Sequence, residues 1–318
     1  MSDVIFIVLK RLGLGLITLF VISILIFGAV ELLPGDIAQA VLGMGATEDN
    51  LAALREQLGL NQPAPIRYFH WLLGALTGDF GVSLITQTPV GEVIGPRFAN
   101  TLFLAAYAAI IAVPVAILLG IVVALLRNTL FDRVANIATL TSISSPEFFL
   151  GYILILYLAV KGQYFPAIAK LNEGMSFFEL LNRTFLPALT MVLVVVAHMM
   201  RMTRAAIINL LASPYIEMAR VKGMPAWKVV VKHALPNAWA PIINVVALNL
   251  AYLITGVVLV EVVFVYPGIG QLLVDSVTKR DFTVVQACCL IFAATFILLN
   301  LAADVGAILT NPRLRYKK

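Results

Sequence analysis

Glu217-Met218-Ala219-Arg220-Val221-Lys222-Gly223, with Leu235-Pro236 following, is a basic polar segment between two strongly apolar runs. A polar stretch between two membrane-spanning helices has to sit in water, and its positive charge points to the cytoplasm. It is the place where a soluble partner can grip an otherwise lipid-facing chain.

The surroundings support that reading. Of 318 residues, 61% are hydrophobic and 12% charged, and the mean hydropathy is +0.98. A soluble domain carries about twice that charged fraction. The apolar residues gather in runs of about 20, the length needed to cross a bilayer. The pattern predicts an all-α polytopic membrane protein with six transmembrane helices, at 12–33, 101–126, 135–160, 185–202, 241–265 and 284–309. The fourth is the shortest, because His198 and Arg201 arrive early.

Basic residues then orient the chain. Lys10, Arg11, Arg127, Arg133, Arg201, Arg204, Arg220, Lys222, Lys228, Lys232, Arg313, Arg315, Lys317 and Lys318 fall on one side, with only Asp3, Asp132 and Glu217 as acids. The alternate segments carry an excess of acid. Both termini and the Glu217 loop are therefore expected in the cytoplasm. Lys10-Arg11 before an apolar run, with Ala38-Gln39-Ala40 beyond, also resembles a cleavable signal. The run is too long for a signal core, and Glu31, Pro34 and Asp36 intervene, so a retained first helix is expected.

The largest polar region is the external segment 34–100. Thr47 can cap a helix whose first turn holds Glu48 and Asp49, with Leu51, Leu54 and Leu58 on one face and Gly59 as a stop. Residues 68–76 form a second amphipathic stretch, with Tyr68, Phe69 and Trp71 suited to a membrane interface. Either could also serve as a platform for an external protein or for substrate entry.

Several chemistries lack their residues. No Gly-Lys pair occurs, so there is no phosphate cradle of the Gly-x-x-x-x-Gly-Lys-Ser/Thr kind. His-Glu-x-x-His and Gly-x-Ser-x-Gly are absent, and His70, His198 and His233 are scattered. No catalytic or metal site is expected, and the basic charge reads as membrane orientation rather than nucleic-acid binding. Cys288 and Cys289 are neighbours in an apolar run and read as packing residues. Intramembrane acids reduce to Glu147, Glu261 and Asp304. Asn300 and Asp304 share a helix face, which suggests a polar clamp between helices more than a proton relay. Uphill transport would draw its energy from elsewhere.

Within 205–238, Ser213-Pro214 can open a helix, Glu217 suits its first turn and Gly223 can stop it. Pro225 can open a second helix, ended by Leu235-Pro236. Small Ala219 and Gly223 at the corner would let another protein's backbone approach. A basic loop resting at lipid headgroups is the alternative.

Glu-x-Ala-x-x-x-Gly, nine residues, then x-x-Leu-Pro resembles the signature loop of permease subunits in binding-protein-dependent ABC importers. Met218 departs from the usual Ala, and His233 stands where Ile is common. Leu33-Pro34-Gly35-Asp36, Gly59-Leu60-Asn61-Gln62-Pro63, Gly78-Asp79-Phe80-Gly81-Val82-Ser83, Tyr266-Pro267-Gly268-Ile269-Gly270, Arg280-Asp281, Asn300-Leu301-x-x-Asp304 and Pro312-Arg313-x-Arg315 follow in order along the chain. Together they look like the B-type subunit of peptide/nickel-type (dipeptide and oligopeptide) importers.

That resemblance implies a type I ABC importer permease fold. It comprises a first helix over 1–33, the external (periplasmic) segment 34–100, a permease core over 101–310 and a cytoplasmic tail at 311–318. It places the chain in a bacterial inner membrane, paired as a heterodimer with a second homologous permease. Two ATPase subunits would hold ATP and Mg²⁺, with no cofactor on this chain, and an external solute-binding protein would deliver the solute. The ATPase-coupling loop would use Glu217, Ala219, Gly223, Met224, Pro225, Leu235 and Pro236. Pro34, Gly35, Asp36, Gly78, Asp79 and Gly81 become external partner contacts, and Asn300 and Asp304 remain the clamp. Di- or oligopeptides are the expected solute; nickel, glutathione and oligosaccharides are alternatives. A channel or exporter without an ATPase and a membrane enzyme are the competing classes.

Overall fold

The computed structural model describes residues 2–32, 38–39, 47–57, 59–172 and 174–310. Among them the regular structure is helical, with a single isolated bridge pairing Val82 and Pro89. The helices are α1 (Ser2–Glu31), α2 (Glu48–Gln57), α3 (Ala64–Thr77), α4 (Val90–Leu125), α5 (Leu130–Ser144), α6 (Glu147–Leu154) and α7 (Phe177–Leu211). Then come α8 (Pro214–Val221), α9 (Ala226–Val229), α10 (Leu235–Thr255), α11 (Val257–Val263), α12 (Ile269–Lys279) and α13 (Phe282–Thr310). A π-helical turn, Ile155–Lys161, extends α6, and another, Val230–Ala234, joins α9 to α10.

Among the described residues, four helices are long and apolar enough to cross a membrane: Val8–Glu31, Val90–Leu125, Phe177–Leu211 and Phe282–Gly306. Two bent pairs bring the total to six when each is counted as one span. One pair, Leu130–Ser144 with Glu147–Lys161, turns by 106° where a straight helix over 135–160 was expected. Pro146 explains the turn. It supplies no N–H and pushes the preceding residue out of the helical region. Ser145 is accordingly extended, and its hydroxyl donates to Thr141 O at 2.8 Å. The fourth span, expected over 185–202, is one 35-residue helix. Ser176 accepts a hydrogen bond from Glu179 N and opens it well before the apolar run begins. Gly256 interrupts the expected fifth span between α10 and α11.

The chain divides into two compact units. The first holds Met1–Leu12, Leu102–Tyr266 and Phe296–Lys318. Its centre is α7, which packs against α5, α6 and α10. Leu104, Ala108, Ala112 and Ala116 of α4 recur every fourth residue and are buried in the same core as Leu186 and Met199 of α7. A stripe of small residues lets helices approach where no water-driven force sorts them. At Gly120 the approach is closest: a Cβ there would lie 2.7 Å from Thr203 Cβ and 3.0 Å from Met200 O.

The second unit holds Gly13–Thr101 and Pro267–Thr295, so most of the external segment folds with residues that follow it by some 200 positions. Thr47 caps α2, and Gly59, with positive φ, ends the turn after it. Tyr68 of α3 is buried against Phe20 and Phe27 of α1 and shares a hydrogen bond with Ser23 at 2.8 Å. Ile66, Phe69, Leu73 and Leu76 form the opposite, exposed apolar face of α3, as an interface-lying helix requires.

Candidate functional site: the 214–234 hairpin and the external turn

The Glu217 segment folds as a short helical hairpin in the first unit. Ser213 O accepts the first bonds of α8, from Ile216 N and Glu217 N. Its hydroxyl does not cap α8; it turns back to donate to Leu210 O at the end of α7. Pro214 occupies the first helical position, where a missing N–H costs nothing. Gly223 ends α8 in the left-handed region, φ +75°, and Met224 N closes back on Ala219 O at 3.3 Å. This is the Schellman arrangement, and Met224 packs into the same cluster as Ala219.

The hairpin has two faces. Ile216, Ala219, Val229, Val230 and Ala234 are buried in a core with Ala124 of α4, Ile207 of α7 and Ala238 and Ile242 of α10. Ala219 therefore faces the protein's own interior, whereas the sequence reading had placed it on the outer corner. An alanine is small enough for either side, and only the packing decides. Glu217, Met218, Lys222, Gly223, Pro225 and Trp227 are exposed, Val221 with 78% of its surface. A Cβ built on Gly223 meets nothing within 4 Å. Lys228 Nζ sits 5.6 Å from the centre of the Trp227 ring.

Leu235 and Pro236 do not end the second helix; they begin α10. The π-turn before them has already widened the backbone ladder, so the N–H that Pro236 lacks is not missed. His233 O takes Asn237 Nδ2 at 2.9 Å and Tyr215 OH at 3.4 Å. The chain bends instead by 56° between Trp239 and Pro241. The hairpin thus runs directly into the fifth span.

A clamp that the sequence reading passed over lies in this unit. Arg204 Nε and Nη2 each reach Asp132 at 2.8 Å, a bidentate pair with Asp132 only 4% exposed. Asn128 N and Asn136 Nδ2 complete the carboxylate's partners. Arg204 had counted only as a positive charge; the signal was Asp132, the lone acid in a basic loop. The Asn300–Asp304 pair divides. Asp304 accepts an ion pair from Arg11 of α1, whereas Asn300 donates to Phe296 O on its own helix. Glu147 at the start of α6 accepts from Tyr252, and Glu261 is fully buried.

The Gly78–Ser83 motif is a tight turn in the second unit. Gly78 and Gly81 both have positive φ, and Asp79 Oδ1 accepts from Gly81 N at 2.9 Å. Ser83 N to Thr88 O and Val90 N to Gly81 O close the turn at 2.9 Å each. Asp281 joins it to the start of α13: its buried carboxylate accepts from Ser83 Oγ and, at 3.2 Å, from Leu84 N. The Tyr266–Gly270 motif is tied similarly, through Asn100 Nδ2 to Pro267 O and Ile269 N to Thr101 Oγ1 at 2.9 Å each. Separate sequence motifs thus meet as hydrogen-bond partners. Pro34, Gly35 and Asp36 lie outside the described residues.

Residues 116–316 match the family described as binding-protein-dependent transport system inner membrane component, and residues 4–105 match its N-terminal membrane component family. The chain belongs to this family of transport permeases. It is 40% identical over 311 residues, 98% of this chain and 99% of the relative, to the glutathione transport system permease protein GsiC of Escherichia coli (strain K12). The match to GsiC of Salmonella typhi has the same identity and extent. The permease is therefore a multi-pass inner-membrane subunit of an ABC importer, working with a solute-binding protein and ATPase subunits.

Proposed function

We propose that this permease forms half of the pathway for a peptide-class solute, beside a second homologous permease in a heterodimer, and that the 214–234 hairpin is its ATPase-coupling element. Both termini and the hairpin face the cytoplasm. Two ATPase subunits hold ATP and Mg²⁺ and perform the hydrolysis. Glutathione, the solute in the names of the relatives, falls within the peptide class. On the external side Pro34, Gly35, Asp36, Gly78, Asp79 and Gly81 are proposed contacts for the solute-binding protein.

The two-faced hairpin carries the coupling reading. Its inner face shares a core with α4, α7 and α10, so force on it moves spanning helices as packed bodies. Its outer face exposes Glu217, Met218, Val221, Lys222, Gly223 and Trp227, an apolar patch with charged edges. Glu217, Gly223 and Pro225 form the seat, whereas Ala219, Met224, Leu235 and Pro236 act by holding its shape.

Gly223→Trp tests this. The new side chain has open space but sits at φ +75°, a strain of about 1–2 kcal/mol for an L-residue. The spans should stay folded. In proteoliposomes carrying the whole transporter, uptake should fall at least tenfold and ATP hydrolysis should lose its response to the loaded binding protein. Full uptake by a folded variant would sink the docking assignment.

A further inference from the structure

We propose that a cavity of the second unit, between the end of α1, α3 and the start of α13, binds a zwitterionic group: an oxyanion and an ammonium on one small ligand. The cavity measures about 420 Å³, within the range of small-molecule sites. Phe27, Glu31, Arg67, Trp71, Asp79 and Gln286 line it.

Its polar groups are not satisfied by one another. Arg67 gives one guanidinium nitrogen to Glu31, but its Nε–H and the Trp71 Nε1–H are buried without an acceptor. The Gln286 side chain is only 9% exposed and forms no hydrogen bond among the described residues. A buried donor left unpaired costs about 1–3 kcal/mol, so two of them on residues that line one cavity are unusual. The charge balance narrows the ligand. Glu31 and Asp79 line it with one guanidinium and the His70 imidazole, so a simple anion would meet two carboxylates. A simple cation would leave the Arg67, Trp71 and Gln286 donors unmet. A zwitterion answers both: its oxyanion takes the three N–H groups, its ammonium lies toward the two carboxylates, and the Phe27 and Trp71 rings wall its apolar part. A short peptide or amino acid carries this pair of groups, and so does a phosphatidylethanolamine headgroup. The inference rests on this cavity alone and needs no ATPase.

The chain has three tryptophans, so the full-length Trp227→Phe/Trp239→Phe variant reports on Trp71 alone. In phosphatidylglycerol nanodiscs it would be titrated with dialanine; in a second arm phosphatidylethanolamine would replace the phosphatidylglycerol stepwise without peptide. A saturable change in Trp71 emission is expected in at least one arm, and the arm that responds identifies the source. Arg67→Lys, which keeps the charge and removes Nε–H, should weaken the response at least tenfold, as should Gln286→Leu. Having two variants guards against one that fails to fold. N-acetyl-dialanine amide, which lacks both charges, should give no change. Absence of a saturable response in both arms, or an equal response to the uncharged analogue, would overturn the proposal and leave only hydrated donors. Failure here would leave the hairpin assignment untouched, because the readout involves neither nucleotide nor transport.

Discussion

The 214–234 hairpin and the 78–90 turn use the same local devices to opposite ends. Each rests on a left-handed glycine and a nearby carboxylate. In the 78–90 turn the carboxylates serve the turn itself: Asp79 accepts from Gly81 N while staying exposed, and Asp281 is buried against Ser83 and Leu84. In the hairpin the apolar side is buried and Glu217 and Gly223 face outward. A motif residue can thus serve the fold or await a partner, and residue type alone does not say which.

Substitutions can break or sharpen this contrast. Asp281→Ala should have the largest effect, stranding the buried Ser83 hydroxyl and Leu84 N–H at a cost of about 2–3 kcal/mol. Thermal unfolding of the purified chain measures it, and an unchanged midpoint would mean that Asp281 does not hold the turn. Ala219→Leu comes next, at about 2 kcal/mol, because it overpacks the inner face of the hairpin. Were it neutral, Ala219 would have to face outward after all. Gly81→Ala should cost about 1–2 kcal/mol through its φ of +82°. Glu217→Gln and Trp227→Ala should shift stability by less than about 0.5 kcal/mol, as exposed positions do, while lowering substrate-stimulated ATP hydrolysis in the assembled transporter. If these two destabilise more than Gly81→Ala, the division into an inner and an outer face is wrong.

Much of this was legible because its causes are local. Thr47 before two acids marks the α2 cap, and Gly223 two residues after the last helical residue marks the end of α8. The bend at Pro146 was also written in Ser144-Ser145-Pro146-Glu147, but the apolar run on either side masked it. Other features had no local trace. Asp132 with Arg204 and Ser83 with Asp281 are pairs across 72 and 198 residues, and neither partner is distinctive alone. Leu235-Pro236 reads as a helix end until the π-turn ahead of it is seen.

The sequence by itself determined a greasy all-helical membrane chain, an uneven distribution of its basic residues among the loops, and a loop signature spaced for a permease. Those follow from summed transfer energies and short-range backbone rules, which single residues carry wherever they sit. Only the tertiary structure decided that Ala219 packs inward, that Asp304 meets Arg11 while Asn300 stays on its own helix, and that Arg67, Trp71 and Gln286 converge on one cavity. Burial and partnership depend on which distant segments touch. That is settled by the packing of whole helices.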